Sequence, residues 1–306
     1  MTGKVMVFAP APVLTVTVEQ AAEAPDLHVH PGGQGVWQAR MAATLGSDVT
    51  LCVSVGGETG EVVGVLMATQ EVTVRSVRRA AGSGWYVHDR RAGTRDEVAQ
   101  WPGAPLQRHD LDELYTIALA EGLRSDVAVL SGPADPSVVA PDVYRRLTTD
   151  LTGNGIRVVA DLSGDHLVAV LRGGASFVKV SHEELLRDGR AAADTEDAFV
   201  AAGRTLLADG AGAALVSRAG DPALAFFDGT VHRVHVPPLQ IKDPRGAGDS
   251  MSAGVAAVLA RGGDLSEAIR TGAAAGALNV TRHGLGTGRA DAIHELLSRV
   301  RLESLG

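Results

Sequence analysis

The sequence predicts an α/β protein built on a mostly parallel sheet with helices on both faces, and three observations carry that prediction. Short apolar runs recur along the chain, segments of ten or more residues with helical spacing separate them, and 306 residues at 45% hydrophobic content suffice for a large core. Val5-Met6-Val7-Phe8, closed by Pro10 and Pro12, reads as a buried central strand. Val36, Ala39, Met41, Ala42 and Leu45 follow helical spacing, and Gly46 stops the pattern as a residue just past a helix end does. A strand is expected over 49–55. Further on, helices in 110–122, 138–151 and near 164–172 alternate with strands at 127–130, 156–160 and 177–180, which argues for right-handed βαβ units.

Residues 73–101 interrupt this rhythm. Trp85-Tyr86-Val87-His88 and Glu97-Val98-Ala99-Gln100-Trp101 flank a turn around Gly93, so a hairpin is expected there, in a separate small sheet or lid. A second hairpin, 225–227 to 231–234, turns at Asp228-Gly229. No repeat, low-complexity tract or linker divides the chain, and one domain spanning 1–306 is expected.

Composition excludes several functions. Lys and Arg number 28 against 36 Asp and Glu, a net charge of −8, so no cationic field exists to hold nucleic acid or a lipid surface. The lone Cys52 can form neither an internal disulfide nor a thiolate zinc site. No apolar run approaches the roughly 18 residues of a membrane span, and no secretory leader opens the chain, so a cytoplasmic protein is expected.

Asp243-Pro244-Arg245-Gly246-Ala247-Gly248-Asp249-Ser250 runs straight into the small-residue apolar helix starting at Met251. Free N–H groups at such a helix start attract anions, and glycine lets a phosphate approach the backbone. Asp249 is the anomaly there: it either caps the helix or acts as a general base for an attacking hydroxyl. Pro31-Gly32-Gly33-Gln34-Gly35 opens an earlier helix, but neither cluster matches the dinucleotide or P-loop pattern.

Together the two glycine clusters, Gly32-Gly33-x-Gly35 and Gly246-Ala247-Gly248-Asp249, resemble the paired signatures of the ribokinase-like (PfkB) carbohydrate kinases. Val129-Leu130-Ser131-Gly132, Val159-Ala160-Asp161-Leu162-Ser163-Gly164 and Val178-Lys179 followed by Glu184-Leu185 are similar in order to the 1-phosphofructokinase and tagatose-6-phosphate kinase branch. The resemblance implies a three-layer α/β/α sandwich with a small β-sheet lid, here about 10–31 and 73–102. It also implies an ATP-dependent, Mg²⁺-requiring kinase acting on a small-molecule acceptor, and a homodimer formed through the lids. It makes Asp249 the base and Gly246, Ala247 and Gly248 the anion hole. Gly32, Gly33, Gln34, Trp37 and Ser131 then fall on the acceptor side, Lys179, Ser217, Gly220 and Asn279 on the nucleotide side, and Glu184 at the metal.

The departures are as informative. Val13 stands where the branch has an aspartate, Gln34 replaces its lysine and Trp37 its asparagine, and Gly84-Trp85-Tyr86 replaces a lid segment that offers arginine and asparagine. Losing hydrogen-bond partners of this kind implies a different acceptor. On the nucleotide side, Ser181 and Pro244 replace an asparagine and a threonine, and the loop from Ser217 lacks its second glycine. A catalytically weak relative that binds a metabolite or nucleotide as a sensor is therefore the alternative. Trp37, Trp85, Tyr86 and Trp101 line an acceptor pocket or pack between lid and body; Asn279 approaches the adenine or ties a loop; His28 and His30 are exposed strand residues or a metal pair.

Overall fold

Strands whose side chains are apolar on both faces lie at the centre of a ten-stranded sheet. The computed structural model describes residues 2–281 and 288–305. From one edge inward the order is β14 (Arg301–Ser304), β13 (Thr230–His235), β12 (Asp221–Phe227), β11 (Ala214–Arg218), β10 (Phe177–Ser181), β9 (Arg157–Asp161) and β8 (Val127–Ser131). It then continues through β1 (Lys4–Phe8) and β4 (Asp48–Gly56) to β5 (Thr73–Arg79). The run from β11 to β5 is parallel throughout, and the second expected hairpin joins it as antiparallel strands. Residues 73–79, grouped with the lid on the sequence, belong instead to the edge of this large sheet. Their Val74 and Val77 pair alongside β4 and pack into the two cores.

Alternation on β1 shows how one strand serves two cores: Val5 and Val7 enter one layer, Met6 and Phe8 the other. The first layer holds α1 (Gln34–Thr44), α2 (Gly57–Ala68), α8 (Ala247–Ala260), α9 (Leu265–Asn279) and α10 (Ala290–Leu297). The second holds α3 (Arg108–Gly122), α4 (Pro141–Gly153), α5 (Gly164–Arg172), α6 (His182–Arg187) and α7 (Glu196–Ala208). The result is the three-layer sandwich that the resemblance implies.

A separate four-stranded sheet runs β3 (Pro25–Gly32), β2 (Val13–Gln20), β6 (Ser83–Asp89), β7 (Asp96–Gly103). Its register sorts the side chains. Thr15 pairs with His30 and Tyr86, and Thr17 with His28 and His88, on one face. Leu14 and Val16 share the other face with Trp85 and its cross-strand partner Trp101. The tryptophans and Tyr86 therefore point to opposite sides. Among the described residues no helix is long and apolar enough to cross a membrane.

Candidate active site

The carboxyl ends of adjacent parallel strands bring Ser131, Asp161, Ser181 and Ser217 into one row, since β8 pairs Ser131 with Asp161 and β10 pairs Ser181 with Ser217. Ligand sites of open parallel sheets form at this edge. Facing it is the start of α8. Gly246 caps that helix with φ +71°, a left-handed conformation that glycine adopts without steric cost. Ala247, Gly248 and Asp249 form the first turn, so their amides are the unpaired donors of an anion site.

Asp249 is buried. Burial foremost, then the negative charge of Asp161, pushes its carboxyl up to about 8, against the opposing pull of Lys179 and a hydrogen bond from Gln34. A carboxyl with proton affinity raised this far can exchange a proton with a hydroxyl close to neutral pH. Lys179 is buried too: its Nζ lies 3.3 Å from Asp161 Oδ1, and a Cβ on Gly248 would come 2.2 Å from it. Glycine at 248 thus lets the ammonium sit against the anion site. Burial alone would lower its pKa, but the charges of Asp161, Glu184 and Asp249 outweigh that and raise it.

On the sequence Asp161 stands only inside a motif; the structure makes it the hub. Its Oδ2 accepts from Ser252 Oγ at 2.8 Å and Gln38 Nε2 at 3.1 Å, and Ser131 Oγ donates to Gln38 Oε1, which fixes the amide's orientation. Glu184 closes a capping box at α6, accepting from Ser181 N at 2.7 Å. Asp161 and Glu184 also line a cavity of about 140 Å³ together with Gln34 and Gly132. Two carboxylates on such a cavity are hard oxygen donors, and Mg²⁺ fits them, because it takes one or two carboxylates and completes its shell with water and phosphates.

The remaining expected residues divide. Gln34 braces rather than opens the site: its Oε1 accepts from Gly132 N at 3.0 Å while the same side chain reaches Asp249. Gly33 caps α1, and Gly32 forms the last rung of the small sheet opposite Val13. Trp37 is half-buried and lines a second cavity, of about 690 Å³, with Thr15, Thr17, His30, Arg40 and Arg95. Neither Trp85 nor Trp101 lines it, so the polar face of the small sheet looks onto this groove. Asn279 Nδ2 donates to Arg245 O at 2.7 Å and so ties the loop before α8. Ser217 is the penultimate residue of β11, its carbonyl beside His182, and Gly220 lies in the β11–β12 turn, where Ala219 holds φ +48°. His28 is placed beside Asp26 and Glu19, and its ring stacks on His30; no cluster of three or more metal-binding side chains occurs among the described residues.

Residues 2–292 match the model of the pfkB family carbohydrate kinases. The chain is 28% identical over 278 residues to a 1-phosphofructokinase of Bacillus subtilis, covering 90% of this chain and 89% of that one. It is 30% identical over 258 residues to the ATP-dependent 6-phosphofructokinase isozyme 2 of Escherichia coli, covering 83% and 82%. Among solved structures, a point mutant of Escherichia coli phosphofructokinase-2 superimposes with a TM-score of 0.85 at 26% identity, over 97% of this chain and 99% of that one. The fold is also that of a possible 1-phosphofructokinase from Thermotoga maritima, with a TM-score of 0.86 at 18% identity over 99% and 100%. With its sandwich, its glycine-opened α8 and matches along nearly its whole length, the chain belongs to the pfkB family of carbohydrate kinases, as a sugar kinase of the phosphofructokinase type.

Proposed function

We propose that this sugar kinase uses ATP with Mg²⁺ to phosphorylate a hydroxyl of a carbohydrate acceptor other than fructose 1-phosphate or tagatose 6-phosphate, and that Asp249 is its base. The observation that carries the reading is a buried carboxylate with a raised proton affinity inside the first turn of an anion-binding helix. Asp249 takes the proton of the acceptor hydroxyl as its oxygen bonds to the γ-phosphorus, and the bond from that phosphorus to the bridging oxygen of ADP breaks. Amides of Ala247, Gly248 and Asp249 stabilise the charge in flight, and Lys179 adds a fixed cation. Asp161 and Glu184 are the groups that would hold Mg²⁺, which when bound offsets the charge of the nucleotide phosphates. Ser217, Gly220 and Asn279 fall to the nucleotide side. Gly32, Gly33, Gln34, Trp37 and Ser131 border the acceptor.

The altered acceptor rests on Val13, Gln34, Trp37 and Gly84, none of which supplies the charge or the amide of its counterpart. Asp249→Asn should bind nucleotide nearly as before and lose about 10² or more in turnover. Near wild-type turnover would refute the mechanism. Wild-type protein that binds nucleotide but turns over none of a broad sugar panel would establish the sensor reading in its place.

We further propose a cytoplasmic homodimer through the small sheets. Leu27 and Trp101, 61% and 40% exposed on the apolar face, would be covered by a second copy. Sedimentation equilibrium should show a dimer, and Trp85→Ala with Trp101→Ala should dissociate it. An indifferent dimer would place the interface elsewhere.

A further inference from the structure

We propose that Arg79 and the start of α3 form a second oxyanion site, apart from the catalytic edge and from the acceptor groove, at the root of the small sheet. Three arginines lie on β5, and they are not alike. Arg75 and Arg78 are exposed and paired, with Glu121 at 2.9 Å and Glu61 at 3.0 Å. Arg79 is 5% exposed, yet it has no carboxylate within ion-pair distance among the described residues. Its Nη1 donates to Ala104 O at 2.7 Å, while Nε and Nη2 are buried with no partner. A guanidinium keeps its charge in proteins, so a buried cation stands here with donors unused. Burial lowers its pKa, and the acidic charge that opposes the shift is that of Asp110.

Alternation along β5 aims this side chain at α3. Arg75 reaches Glu121 near the end of that helix, Val77 shares a core with its Leu114 and Ala118, and Arg79, two residues further, lies toward its first turn. Gly56 seats the stem, since a Cβ there would come 2.8 Å from Arg79 Cγ. Gln107 caps α3 without a side-chain hydrogen bond, and Leu111 N donates to Gln107 O at 3.0 Å. The amides of Arg108, His109 and Asp110 come before that bond and are the unpaired donors of a positive helix end. Cations are ordinarily favoured at the opposite end. Here a buried guanidinium meets the positive one, and a single first-turn acid, Asp110, offsets them. Such an excess of donors and positive charge is complementary to an oxyanion, whose oxygens match the guanidinium fork and the amides together. Phosphate and carboxylate share that chemistry. The site sits where the chain passes between the two sheets, because Ala104, which holds Arg79, also donates to Gly82 O at 3.3 Å. Exposed Ala80, Pro105, Gln107 and His109 border it on the solvent side.

The test is calorimetric titration of the purified chain with inorganic phosphate and, as a carboxylate arm, with succinate. A saturating non-hydrolysable ATP analogue with Mg²⁺ keeps the start of α8 filled throughout. At least one of the two anions should bind saturably. Arg79→Met keeps the stem and removes the charge, and should weaken that binding about tenfold or more. It should also raise the Tm of the anion-free protein by about 2 °C or more, because no buried cation is left unpaired. Gln107→Asp supplies a carboxylate at the helix start and should produce both changes to a smaller extent. Affinity for the ATP analogue should be equal in all three proteins. Arg79-dependent binding of succinate alone would assign the site to a carboxylate, and of phosphate alone to a phosphate. No binding of either anion, or binding unaltered by Arg79→Met, would make Arg79 a clamp on Ala104 and overturn the proposal. Should Arg79→Met fail to fold, Gln107→Asp decides: unchanged anion affinity in that variant would overturn it equally.

Discussion

At the carboxyl edge of the large sheet charge is closed on itself, whereas in the groove under the small sheet it is left open. Asp161 is satisfied by Lys179, Ser252 and Gln38, Glu184 by the amide of Ser181, and Asp249 by Gln34. Among the described residues Arg95 and Arg40 have no carboxylate within ion-pair distance, in contrast to Arg90 and Arg245. The transferring phosphoryl group is the same whatever sugar receives it, so side chains at the strand edge can be held in place by the chain's own bonds. Substitutions at expected acceptor positions and retention at Asp249 express the same division.

Ion pairs from the two regions should therefore differ in worth, and removing a cation from each sharpens the contrast. Lys179→Met leaves Asp161 buried without its counter-ion and should cost about 3–5 kcal/mol. Arg90→Met breaks a pair nearer solvent, in which Arg245 continues to serve Asp243, and should cost about 1 kcal/mol or less. Urea unfolding of both variants measures the difference. Equal losses would mean that the groove is as tightly closed as the strand edge.

Much of this arrangement is legible in the sequence. Short continuous apolar runs gave β1, β8, β9 and β10, and small residues after glycine gave α8. The helix at 57–68 had no periodic signal because Val62 and Val65 stay exposed while Val63 and Met67 are buried, so apolar residues surround it. Asp249, Lys179 and Glu184 stand in local motifs and could be picked out one by one. The importance of Asp161 could not, because its partners Gln38 and Ser252 lie 123 and 91 residues away in sequence. The same holds for Arg95, since whether an arginine is paired is decided by tertiary neighbours. The two faces of the small sheet are hard to tell apart on the sequence for a related reason. Aromatic content alone put Trp85, Tyr86 and Trp101 together, whereas strand alternation separates them.

The next largest effect concerns Asp249 and pH. Burial and the charge of Asp161 push its carboxyl from about 3.8 up to about 8 on folding, so the native protein takes up an extra proton between those values. Below about pH 4 both states are protonated and the group contributes nothing. As pH rises toward 8 the unfolded state is increasingly favoured, and above about 8 the full penalty is present. Asp249→Asn removes this dependence. Its stability advantage over the wild type should be near zero at pH 4 and grow steadily as pH rises toward 8. Melting curves of both proteins across that range test it. A gap that stays constant or shrinks with pH would mean that Asp249 is ionised throughout, and that the strand-edge cluster is less tightly closed than the contrast requires.

The smallest effect lies in the turn at the far end of the strand row. Ala219 occupies φ +48°, beside Gly220, in the loop that lacks the second glycine of the family pattern. A left-handed alanine costs about 1–2 kcal/mol relative to glycine. Glycine there also gains about 0.4–1 kcal/mol of unfolded-state entropy, which works against the native fold. The two nearly cancel, and Ala219→Gly should stabilise by only about 0.5 kcal/mol. Nucleotide binding gives the sharper reading. If the alanine already holds the turn in its working shape, the Kd for Mg²⁺-ATP should change less than twofold. That result would place the nucleotide turn with the preformed cradle. A tenfold tightening would instead show that the turn is strained away from its ligand, and would move it to the open side of the comparison.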